Sequence, residues 1–210
     1  MKKIIRYAAF FILIGIVAYN SVYFKKLDEV KAATTSFNAA RYANEFWGTK
    51  LIPATRKAIE TGELLSLLKT DKEKAFANHS HALGIGNIKY FLVQGEGIVE
   101  SIEENQVLVK IESLHEKPEI SIATEYIFGN AVRDASGAID INEFSNSMDF
   151  NNVSAEINKL IREGVIPEFK SKVKKGDRIT FSGAIELNKE HTDLKRIEVI
   201  PVSLKIVDSI

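Results

Sequence analysis

Arg133 and Asp134 stand side by side in the run FGNAVRDASGAIDINEFSNSMDF, Phe128 to Phe150. A guanidinium fork beside a carboxylate has two uses. It can hold a loop as a structural ion pair, or it can present the fork to a carboxylate, a phosphate or sugar hydroxyls. The run is long for a connection and reads as neither a strand nor an amphipathic helix, and ordered connections of that kind are often functional. Together with Asn130, Asn142 and Asn146 from the same run, Arg133 and Asp134 form the set of candidate ligand- or partner-binding residues. On the binding reading, Arg133→Ala abolishes binding and leaves the fold intact.

Other chemistries fit less well. DASGAIDINEF echoes the second half of an EF-hand loop, with Asp134, Ser136, Asp140 and Glu143 at ligand positions around Gly137. The first ligand position would be Val132, which has no side-chain oxygen, so a structural loop is expected. His79 and His81 lack a third close ligand, and His115 and His191 fall in presumed turns. Neither metal nor cofactor is expected. With no cysteine, disulfides and thiolate chemistry are excluded. No Gly-x-Ser-x-Gly elbow occurs, and the glycines at 84, 86, 95 and 97 do not open a helix as a phosphate loop would. A glycan hydrolase would need two carboxylates, drawn from Asp134, Asp140, Glu143 and Asp149, about 5 to 9.5 Å apart in one cleft. Nucleic acid is not expected. Lys+Arg and Asp+Glu are both 28, and Val107, Leu108, Val109 and Ile111 offer no stacking aromatic.

The elements around the run divide in two. Residues 34–82 read as a small helical subdomain. Asn38 caps a helix that ends at Trp47 and Gly48, Pro53 opens a second that closes at Gly62, and Thr70 with Glu73 forms a capping box after a leucine run. From residue 88 to 208 the apolar period is two. Strands are expected at Lys89–Ile102, bent at Gly95 and Gly97, then at Val107–Ile111, and then around Ile120, Ile122 and Tyr126. After the long run, a helix capped by Asn151 or Asn152 presents Val153, Ile157, Leu160 and Ile161 and stops at Gly164. Two more strands follow Gly176 and Arg196, the last with a bulge at Pro201. Three strands, a helix and two strands is the order of an OB-like five-stranded β-barrel whose helix plugs one end. The fold class is therefore α+β.

Residues 1–26 read differently. Lys2, Lys3 and Arg6 precede an uncharged run from Tyr7 to Phe24, close to the length that spans a bilayer. A signal segment is the alternative, but Tyr19, Asn20, Tyr23 and Phe24 stand where small cleavage-site residues belong. The charge balance favours a single-pass inner-membrane anchor with the following domain extracytoplasmic.

The pieces FNAARYANEFWGTKLIP, YFLVQGEGIV, FGNAVRDA, INEFSNSMDFNNVSAEIN, GDRITFSGAIEL and IEVIPVSLKI resemble domain-of-unknown-function family 2291, bacterial predicted periplasmic lipoproteins, over about Phe37 to Ile206. The resemblance implies a helical subdomain followed by a barrel-like one. It also implies a link to ABC-type sugar uptake, and it carries no catalytic residues. This chain departs from lipoprotein members in lacking the lipid-bearing cysteine, which favours the helix anchor. The expected function is a membrane-anchored accessory protein that binds ABC transporter components or a small polar solute. The alternatives are an envelope glycan hydrolase and a purely structural interaction module.

Overall fold

The computed structural model describes residues 2–21, 37–112 and 118–207. They fall into two compact units, Met1–Phe37 and Asn38–Ile210. The first contains helix α1, Lys2–Ser21, whose Tyr7, Phe10, Phe11, Ile12 and Leu13 are exposed. Among the described residues no helix is long and apolar enough to cross a membrane. The end of the uncharged run, residues 22–24, and the flanking Lys25 and Lys26 lie outside the described residues.

In the second unit, Asn38 caps α2 (Ala39–Phe46) as its sequence predicts, accepting from the Arg41 amide at 2.8 Å. The helix does not end at Trp47 and Gly48. A π-helical turn, Trp47–Leu51, carries it into α3 (Ile52–Thr55), where Pro53 sits. Proline has no N–H and its ring strikes the carbonyl four residues back in a regular helix, and a wider turn accommodates it. After the short strand β1 (Ile59–Glu60) comes α4 (Thr61–Thr70), which holds Gly62 in its first turn instead of ending at it. The next cap is Asp71, not Thr70. Its carboxylate accepts from the Lys74 amide to open α5 (Lys72–His79), while Thr70 donates to the Ser66 carbonyl.

The strands are β2 (Ser80–His81), β3 (Ile88–Ile102), β4 (Gln106–Lys110), β5 (Glu119–Ala123), β6 (Arg178–Asn188) and β7 (Arg196–Val207). Pairing runs β3–β4–β5–β7–β6 and returns from β6 to β3, so five strands close a hydrogen-bonded ring. All these pairs are antiparallel except β5–β7. Strands β1 and β2 also pair with β3. Residues 88–98 of β3 pair with β6 and residues 98–102 with β4. Gly97 stands at that change of partner, where a Cβ would lie 2.5 Å from Val109 Cγ1 and 2.7 Å from the Lys110 carbonyl oxygen. The bulge itself comes later, between Val99 and Ser101. In β7 the register skips Val202, beside Pro201, where the shift of apolar phase places it. Tyr126 lies past the end of β5 and is exposed.

Phe91, Val107, Ile120, Ile122, Ile179 and Ile197 are among the residues that fill the ring. Leu64, Leu65 and Leu68 of α4 and Phe76 of α5 belong to the same core. Helices α4 and α5 thus share one hydrophobic interior with the five strands, within the unit Asn38–Ile210.

The helix expected to plug the ring is α7 (Ser147–Leu160), continued by a second π turn (Ile161–Val165) into α8 (Ile166–Lys172). Gly164 therefore does not stop it, and Pro167 repeats the arrangement at Pro53. Val153, Ile157 and Ile161 are buried, but α7 packs chiefly on α2, whose Ala43 and Phe46 are also buried. Phe169 and Val173 reach the ring's core instead. With 3.6 residues per α turn, the one extra residue of a π turn swings the following face by about 100°.

Candidate functional site

The run from Phe128 to Phe150 has structure of its own. Helix α6, Ala131–Ala135, lies between Gly129 and Gly137, both at positive φ (76° and 62°), a conformation that costs glycine little. All five of its residues are buried. Arg133 and Asp134 are 4 % and 2 % exposed, with Nε and Oδ1 2.6 Å apart. Asn130 donates to the other Asp134 oxygen and accepts from the Tyr90 hydroxyl at 3.2 Å. Arg133 Nη1 donates to the Phe150 carbonyl at 3.3 Å, and its guanidinium lies 3.5 Å from the Phe150 ring centroid. Burial raises the Tyr90 hydroxyl above its ordinary pKa, with the Glu186 charge adding to the shift.

The other two candidates lie apart from this cluster. Asn142 donates its amide and its Nδ2 to Asp140 Oδ1, a local turn contact. Asn146 is the cap of α7, in place of Asn151 or Asn152, accepting from the Asp149 amide and donating to Asp149 Oδ2, both at 2.8 Å. The helix starts earlier than expected because this cap precedes Asp149 by three residues. We expect Asn146→Ala to lower stability by about 1 kcal/mol, read from the denaturant midpoint, and to leave binding per folded molecule unchanged.

The residues of the calcium-like pattern turn to different partners. Asp134 pairs with Arg133, Ser136 donates to the Arg133 carbonyl, Asp140 accepts from Asn142, and Glu143 accepts from the Tyr42 hydroxyl at 2.6 Å. Among the described residues no group of His, Cys, Asp or Glu could hold a metal ion.

Asn130 and Arg133 also form one wall of an open cleft of about 470 Å³. Its other wall is a face of α7 and the following π turn, contributing Asn151, Ser154, Asn158 and Arg162, with Phe128 at one side. Asn158 donates to the Gly129 carbonyl at 2.8 Å and Arg162 to the Ile127 carbonyl at 2.5 Å, tying the α6 turn to α7. Phe128 is 67 % exposed, its ring centroid 5.7 Å from the Arg162 guanidinium. Ser154 is 7 % exposed, and its Oγ, closed off from solvent, has no hydrogen-bond partner among the described residues. Among the described residues no carboxylate lines the cleft. Sequence reasoning on the 128–150 run missed this wall. The signal was present as a polar stripe at 151, 154, 158 and 162, helical spacings that normally mark a solvated face.

A five-strand ring interrupted by one helical excursion between its third and fourth strands defines an α+β domain of the OB type. A crystal structure of an OB-fold protein from Thermotoga maritima is similar to it. The two share 29 % identity over 81 % of this chain and 99 % of that one, with a TM-score of 0.73. The Stn1–Ten1 complex of S. pombe aligns at 11 % identity over 59 % of this chain and 67 % of that one. Its TM-score is 0.29, too low to carry an argument. No curated protein matches. The chain belongs to domain-of-unknown-function family 2291, described as a predicted periplasmic lipoprotein, whose model matches residues 12–205.

Proposed function

We propose that this chain is a non-catalytic accessory protein of the bacterial envelope, tethered at the inner membrane by its N-terminal helix. Its domain, read as an OB-like barrel, binds a small polar solute or a transporter component and serves ABC-type sugar uptake. The observation that carries the binding part is the cleft between α6 and α7, polar on both walls and bordered by a buried hydroxyl without a partner among the described residues. Buried polar groups are ordinarily satisfied, and an unsatisfied one bordering a polar cleft marks a wall not built for packing alone. The family description supports the periplasmic location. Asp134, Asp140, Glu143 and Asp149 each hold a partner within the protein, and none lines the cleft, which favours binding over hydrolysis.

The test is a thermal-shift screen of sugars and nucleosides on the full chain, beside crosslinking in intact membranes. A ligand that fills the cleft raises the unfolding midpoint, and Phe128→Ala, at an exposed position, reduces that rise several-fold. If no compound moves the midpoint and crosslinking captures no transporter subunit, the reading is wrong.

A further inference from the structure

We propose that the cleft beside Phe128 and Arg162 takes a hydroxyl-bearing ring that also carries an anionic group, the chemistry shared by sugar acids and sugar phosphates. The proposal deepens the solute-binding reading above and rests on it.

Charge is the first argument. Among the described residues two guanidinium groups line the cleft and no carboxylate does. Arg133 is neutralised by Asp134. Among the described residues Arg162 meets neutral partners, the Ile127 carbonyl and the Phe128 ring, and no carboxylate lies within ion-pair distance of it. It is half-buried at the cleft wall, where a lone positive charge is less well solvated than in open water. Its remaining N–H groups can still meet an anion, and a guanidinium binds carboxylate or phosphate through paired charge-assisted bonds.

Hydroxyl recognition is the second. Asn151, exposed on the α7 wall, carries an amide that can both donate and accept, as a sugar hydroxyl requires. Phe128 supplies an exposed aromatic face for the apolar side of a ring. The volume suits a small molecule, within the roughly 300–1,000 Å³ usual for such sites. A structural role for Arg162 would explain its bond to Ile127, but not the missing counter-charge.

The full chain in detergent is titrated calorimetrically with D-glucuronate, D-glucose 6-phosphate, D-glucose, acetate and inorganic phosphate. At least one sugar anion is expected to bind about tenfold or more tightly than glucose and than the bare anions, and its affinity should fall as salt rises. Tighter binding of glucuronate assigns a carboxylate, and tighter binding of the sugar phosphate assigns a phosphate. Arg162→Gln should bring the anionic-to-neutral ratio close to one, and Arg162→Lys should restore part of it. If Arg162→Gln does not fold, the salt dependence of the unaltered chain decides, and an affinity indifferent to salt overturns the proposal. Glucose that binds as tightly as both sugar anions overturns the anion and leaves the solute-binding reading standing. Bare anions that bind as tightly as sugar anions overturn the ring. Silence from all five overturns the proposal. It overturns the broader reading as well only if the thermal-shift panel and the crosslinking are also silent.

Discussion

Arg133→Met is expected to cost about 3–5 kcal/mol of stability, the range found when one partner of a buried ion pair is removed. The carboxylate of Asp134, 2 % exposed, would keep Asn130 as a donor but lose its counter-charge at 2.6 Å. The Phe150 carbonyl and ring would lose their cation as well. Denaturant unfolding measures the loss directly. The double variant Arg133→Met, Asp134→Leu should recover a large part of it, since an apolar pair of similar volume avoids leaving a bare charge in the interior. A single variant that loses less than about 1 kcal/mol would show that water reaches the pair. Arg133 cannot therefore serve as a probe of binding alone. Its guanidinium lines the cleft and holds the run together, so its removal disturbs both.

Phe91→Ala should cost about 3–5 kcal/mol, the usual range for an emptied aromatic site in a core. The ring is fully buried on β3 and meets Phe76 of α5 edge-on, with centroids 5.1 Å apart. The residue thus belongs to the strands and the helices at once. Far-UV circular dichroism and Trp47 fluorescence should both move to the same lower midpoint, because the helices and the ring share one interior. Two separated midpoints would mean that the helical segment unfolds independently.

The sequence made legible what depends on near neighbours. The Asn38 cap, the alternation on β4 and β6, and the phase shift at Pro201 were each visible within a few residues. Helix ends were not. Gly48, Gly62 and Gly164 look like stops by composition, yet two of them lie inside π turns that a 3.6-residue period does not register, and the third sits in a first turn. The plug was misplaced for the same reason, because the turn at Ile161–Val165 redirects the apolar face toward Phe169. At the site, the adjacency of Arg133 and Asp134 announced an ion pair. Asn142 and Asn146 were candidates by type, but their amides are engaged in a turn and a cap. Ser154, Asn158 and Arg162 were hidden because a polar helical stripe is ordinarily left to water, and only the folded chain sets α6 opposite it.

The two Ile-Pro joints also bear on where the chain can change in length. The connections at 103–105 and 189–195 join neighbouring strands and can absorb added residues ahead of Leu194, whose side chain packs on the core. Losing a single residue from 161–165 would rewind that turn to ordinary pitch and spin Phe169 about 100° away from the strands. Spare length is tolerable at the hairpin tips, whereas the wide helical turns act as fixed spacers.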